Sequence, residues 1–164
     1  MSKTGSATGS EQTLSMAMAY IEVGKASVMA ETELKHDSEY QNAVAYQMLH
    51  AIELFFKYMI RKKEGMVAHI HDLKALEEQY YRLYTSNVHK IHHPFDFSAY
   101  ETCELNEGED ILTRAHLAKF KPKFLDQHLR YPADDRTGGF SFSIDASIFE
   151  SLRNEMLRAS ASGC

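Results

Sequence analysis

The sequence predicts an all-α fold, a single-domain, up-and-down bundle of about five helices, on three observations. Apolar residues recur at i, i+3, i+4, i+7 spacing in several separate stretches, the period of a helix with one face in a core. Only Phe140 to Ile144 alternates as a strand does, and a lone strand has no partner, so it reads as extended loop. The chain has 164 residues, 44% of them hydrophobic and 25% charged, enough to bury one core without disulfide or metal.

Residues 1–11, small and polar, read as a disordered tail, and 160–164 as a frayed end, leaving 12–159 as the helical domain. The first helix covers about 12–32, with Leu14, Ala17, Met18, Ile21 and Val28 on one face and Gly24 tolerated or marking close packing. Lys35-His36-Asp37-Ser38 breaks that pattern, and Asp37 or Ser38 can cap the central helix, about 39–63. In the central helix Ala45, Met48, Leu49, Ile52, Phe56, Met59 and Ile60 form the stripe, and Leu54, Phe55 and Tyr58 widen it, so burial on more than one side is expected. It closes on Arg61-Lys62-Lys63, which suits the negative end of the helix dipole, and on Gly65. The third helix runs from Asp72 to about residue 90, burying Leu73, Leu76, Tyr80, Leu83 and Val88, and stops before His92-His93-Pro94.

Residues 94–106 read as irregular, with Phe95, Phe97 and Tyr100 pinning the loop or lining a pocket. A fourth helix at about 107–129 must kink or split at Pro122. A last helix from about residue 145 turns Ile148, Phe149, Leu152 and Met156 inward, with Ser147 and Glu150 placed for a capping box.

Composition excludes several function classes. A net charge of −5 does not suit a nonspecific nucleic-acid binder, although it leaves room for a local basic patch. Cys103 and Cys164 are the only cysteines, too few for a disulfide framework or a thiolate zinc site, and they fit a reduced, cytoplasmic setting. No apolar run is long enough to span a bilayer, and residues 1–10 lack the build of a signal peptide, so no membrane association is expected. The sequence contains no phosphate-binding loop, no dinucleotide-binding glycine fingerprint and no serine elbow, and no cofactor is implied.

The central helix interrupts its apolar surface once. Tyr46, His50, Glu53 and Lys57 project on nearly one side, with Glu53 and Lys57 paired at i, i+4. Such a seam is either a solvated flank or the polar edge of a pocket.

The order HAIELFFK at 50–57, a short basic and glycine-containing break, His71-Asp72-Leu73, and later Arg130-Tyr131-Pro132 resembles the HEPN family, the "higher eukaryotes and prokaryotes nucleotide-binding" domain. In that family a core helix carries an A-x-E-L-x-x-K type signature, the next helix opens with H-D-L or close to it, and R-Y-P often precedes the last helix. The resemblance implies a helical nucleotide- or RNA-associated accessory module, noncatalytic, a homodimer, and partnered with a minimal nucleotidyltransferase in the manner of a toxin and antitoxin. Residue by residue it points to His50, Glu53, Lys57, His71, Asp72 and Arg130 as ligand-binding positions. A surplus of apolar surface on the central helix is a second reason to expect self-association.

Two rival readings accompany it. Some HEPN members are metal-independent ribonucleases using an R-x4-6-H pair, in which histidine moves a proton and arginine holds phosphate. Arg82 and His89 match that spacing, although Leu83, on the apolar stripe, follows the arginine where a polar residue is usual, and no histidine follows Arg130 within reach. The other rival is a purely structural dimerisation protein. The nine histidines include His69-x-His71-Asp72 and His89-x-x-His92-His93, and neither group has the helical spacing that sets two imidazoles on one metal, so no metal site is assigned.

Overall fold

In the computed structural model the described residues are 5–95, 125–130 and 143–162, without the side chains of 5–8 and 128. They form α1 (Gly5–Met29), α2 (Ser38–Glu64), α3 (Leu73–Leu83), α4 (Leu125–Arg130) and α5 (Ala146–Ala161), with 3-10 turns at Glu33–His36 and Asn87–His89. There is no strand among the described residues, so the all-helical bundle stands as the fold.

Helix α2 is the axis. Asp37 takes the N-cap position in extended backbone, and Gly65 ends the helix in the left-handed region (φ 78°), its N–H donating to the Arg61 carbonyl at 2.8 Å. Only glycine enters that region without strain, so this position both stops the helix and turns the chain. Val44, Ala45, Met48, Leu49, Ala51, Ile52, Phe55, Phe56, Met59 and Ile60 are all buried along it. Covering a helix so apolar takes neighbours on several sides, and α1, α3, α4 and α5 supply them.

Helix α1 runs antiparallel to α2, as Tyr20 meeting His50 and the Tyr40 hydroxyl donating to the Ser27 carbonyl (2.6 Å) require. Helix α5 docks on α1 in the same sense, Glu150 pairing with Lys25 and Arg153 with Glu22 (2.9 Å). Gly24 permits that approach: a Cβ there would overlap the Phe149 ring, so its absence reflects close packing.

Helix α3 contributes a tyrosine cluster. Tyr80 is fully buried, its ring 4.8 Å from Phe56 and 5.2 Å from Tyr84. Buried phenols need acceptors. Tyr80 donates to the His89 carbonyl (2.7 Å), Tyr84 to the Met59 carbonyl (2.9 Å), and Tyr81 to the Ile91 carbonyl (3.1 Å).

Several boundaries differ from those the sequence suggests. Helix α1 begins at Gly5, so residues 5–11, expected as a tail, are helical, and it ends three residues before 32. Helix α3 stops at Leu83 and not near 90, because Tyr84 turns inward and Ser86 and Asn87 favour local side-chain and turn conformations over helix. The expected capping box at the last helix is replaced by Asp145, whose carboxylate accepts the Ile148 N–H (3.0 Å), while Glu150 is drawn to Lys25. The α5 end lies at Ala161, inside the segment read as frayed. Of the fourth helix expected at 107–129, residues 107–124 lie outside the described residues, and its end is present as α4. The surplus on α2 is covered within the chain: among the described residues no large hydrophobic side chain of α2 is exposed.

Candidate functional site

The helical period carries Tyr46, His50, Glu53 and Lys57 down one line of α2, and three other elements close on that line. Glu53 lies at its centre and is only 3% exposed. A carboxylate buried that deeply must be paired and hydrogen-bonded. Lys57 Nζ donates to Glu53 Oε1 at 2.6 Å, and His71 Nδ1 approaches the same oxygen at 2.9 Å from the segment preceding α3. With Nδ1–H committed to the carboxylate, the other ring nitrogen of a neutral His71 is left as the basic atom, on a side chain that is 64% exposed. Lys57 is 16% exposed, so its charge sits at the boundary between the buried carboxylate and solvent.

One turn before Glu53, His50 stands between two aromatic rings. Tyr20 of α1 meets it edge-on at 4.6 Å, and Tyr46 lies nearly parallel at 5.7 Å. Burial pushes the His50 imidazole below its ordinary range; Glu53 opposes this, and Lys57, His71 and Arg130 add to it. His50 is therefore a neutral imidazole at neutral pH, surrounded by three groups that carry or can carry positive charge. Burial raises the Tyr46 phenol, with Arg130 acting in the opposite direction.

Helix α4 delivers Arg130. Its guanidinium lies 5.9 Å from the centre of the Tyr46 ring and donates to Asp126 at 2.8 Å. The sequence reading brings Glu53 and Arg130 together. The structure sets them on one face with different partners, Glu53 held by Lys57 and His71 and Arg130 by Asp126.

Asp72 serves the backbone: its carboxylate accepts the Ala75 N–H at 3.1 Å and caps α3, which fixes the segment that presents His71. Arg82 and His89 do not meet. Arg82 is exposed on α3, whereas His89 is buried in the second 3-10 turn with its ring 4.8 Å from Tyr84 and neither ring nitrogen hydrogen-bonded. His92 pairs with Glu155 (2.8 Å) and His93 with Glu77 (3.1 Å), each imidazole having its own carboxylate. Among the described residues no group of three or more His, Cys, Asp and Glu side chains is placed to hold a metal.

Phe95 is buried beside His93, while Phe97, Tyr100, Tyr131 and Pro132 lie outside the described residues. Two contributors escape the sequence reading. Tyr20 has no signal, since nothing local says which α1 residue will face His50. Asp126 stands at i−4 from Arg130, a spacing that does suggest the pair. A cleft of about 180 Å³, bordered by Val28, His36, Tyr40, Val44 and Ile144, opens near the start of α2 and includes no seam residue.

No family model, curated protein or solved structure matches the chain. No helix among the described residues is long and apolar enough to cross a membrane.

Proposed function

We propose that the face built by His50, Glu53, Lys57, His71 and Arg130 binds the phosphate of a nucleotide or of RNA, and that the protein is an accessory binding module of the HEPN kind, working beside a nucleotidyltransferase partner. The observation that carries the reading is the convergence of Lys57, His71 and Arg130 around a neutral imidazole and the Tyr46 ring. Arginine offers a planar fork to two phosphate oxygens, lysine a point charge, and imidazole a donor or acceptor. Glu53 orients Lys57 and His71 from below.

No observation favours ribonuclease chemistry through Arg82 and His89, which lie in unlike environments with no contact between them. The structural rival takes the Glu53 cluster as a tie between α2 and the segment before α3. Calorimetric titration with ATP, GTP and a short single-stranded RNA, on the wild type and on Lys57→Ala, separates the two. Binding of at least one ligand that is lost in Lys57→Ala at unchanged melting temperature is the expected outcome. Heat from none of the three assigns the cluster to structure alone.

A further inference from the structure

The cleft near the start of α2 shares no residue with the seam and is built differently from it. Four segments meet there: the end of α1 with Val28, the first 3-10 turn with Lys35 and His36, the opening turns of α2 with Tyr40, Gln41 and Val44, and the approach to α5 with Ile144. Its floor is apolar and fixed. Val44 belongs to the buried core, and Val28, Tyr40 and Ile144 pack against that core. The Tyr40 hydroxyl is committed to the Ser27 carbonyl (2.6 Å), so its ring stands as a rigid wall. The rim is polar. Leu34 is the one apolar residue of the 3-10 turn and faces solvent at 56% exposure, while its neighbours Lys35 and His36 border the opening.

We propose that this cleft binds a small organic monoanion, its apolar body seated on Val28, Tyr40, Val44 and Ile144 and its carboxylate at Lys35. Three observations set that class. The first is size. The cleft holds about 180 Å³, a little more than an engineered cavity of about 150 Å³ that takes up benzene, so one ring or a six-carbon chain fills it and a nucleoside does not. The second is charge. The Lys35 ammonium is half-buried, yet among the described residues it has no ion pair or hydrogen bond, and no Asp or Glu lines the cleft. An ammonium at the mouth of an apolar recess, without a carboxylate from the protein, favours an anionic head on whatever enters. Gln41 and His36, whose side chains also lack a partner among the described residues, can each donate an N–H to a second oxygen. The third is the form of that charge. No arginine borders the cleft among the described residues, so the fork that grips two phosphate oxygens is missing, and one lysine matches a carboxylate better than a phosphate dianion.

A molecule seated there touches α1, the 3-10 turn, α2 and the approach to α5 at once. Only the folded chain offers all four together, so binding raises the melting temperature. The body is small, which keeps the dissociation constant modest, roughly 0.1–1 mM. The cleft and the phosphate-binding face use none of the same residues, so either reading can fail without the other.

The test is titration of the isotope-labelled full chain with benzoate and with hexanoate, followed by backbone amide shifts and by melting temperature. Benzyl alcohol supplies the ring without the charge, and inorganic phosphate the charge without the body. Both carboxylates should shift the amides of Val28, Lys35, Tyr40 and Ile144, saturate at roughly 0.1–1 mM, and raise the melting temperature. Benzyl alcohol should bind about tenfold more weakly than benzoate, and phosphate should leave those amides unmoved. Lys35→Met should weaken benzoate by about tenfold. That side chain has no partner in the protein, so the variant folds. Val28→Phe, which fills the cleft from the α1 side, should abolish binding with the circular dichroism unchanged; should it not fold, Lys35→Met decides alone. The inference is overturned if neither carboxylate binds below about 10 mM, if Lys35→Met binds benzoate as the wild type does, or if benzyl alcohol binds as tightly as benzoate. Shifts centred on Lys57, His71 and Arg130 instead of the cleft overturn it equally.

Discussion

The bundle holds two clusters of aromatic and ionisable side chains, and they solve the problem of buried polarity in opposite ways. In the tyrosine cluster, Tyr80, Tyr81 and Tyr84 turn their hydroxyls onto main-chain carbonyls, and burial raises the Tyr80 and Tyr81 phenols above their ordinary range. Each of the three hydroxyls is held by a fixed backbone carbonyl. In the seam on α2, a buried carboxylate instead gathers Lys57 and His71, whose outer ends reach the surface. The first arrangement locks segments together, and the second ties Lys57 and His71 to one buried carboxylate near the surface. Burial of a polar group is thus no guide to its role; where its partners end is a better one.

The largest expected effect belongs to the locked cluster. Phe56→Ala empties a fully buried site against Tyr80 and should destabilise the protein by ~3–5 kcal/mol, read from the urea midpoint. An unchanged midpoint means that the tyrosine cluster is not the core it looks to be. Glu53→Ala is the corresponding change in the seam. Lys57 and His71 can turn to water once the carboxylate is gone, so the expected loss is only about 1–2 kcal/mol, below that of a fully enclosed ion pair. A loss as large as that of Phe56→Ala would make the two clusters alike and the seam a structural tie.

The smallest effect depends on pH and concerns His50. Its folded pKa is depressed below the ordinary 6.5. The unfolded chain therefore binds the proton first as pH falls, and the stabilisation present above about 6.5 is lost as pH drops through the folded value. Wild type should lose more stability than His50→Gln between pH 7.5 and 5, the other histidines contributing equally to both. Equal slopes would show that the imidazole titrates as it does in water.

Much of this was legible in local sequence. The C-terminal end of α2 follows from Gly65 behind three basic residues, because breakers act within one turn, while Asp37 takes the N-cap position without a side-chain capping bond. The seam is legible for the same reason: Tyr46, His50, Glu53 and Lys57 share a helix, and the helical period places them on one side. Arg130 reaches the Tyr46 ring, and its carboxylate partner is Asp126, one turn back on its own helix, which the i, i+4 spacing could have shown. The early end of α3 depends on Tyr84 finding the Met59 carbonyl, a tertiary contact that outweighs a continuing apolar pattern.

The notch at Gly24 also sets an order of events on the ribosome. Phe149, which fills it, and the Lys25–Glu150 and Glu22–Arg153 pairs beside it all belong to the last helix. Until that helix has left the exit tunnel, the hairpin of α1 and α2 waits with a ring-sized hole in its side, and closing it requires joining positions 125 residues apart. The nascent chain therefore cannot complete its core piecemeal. That part of the core closes only once α5 is available to deliver the aromatic ring that the first helix has left room to receive.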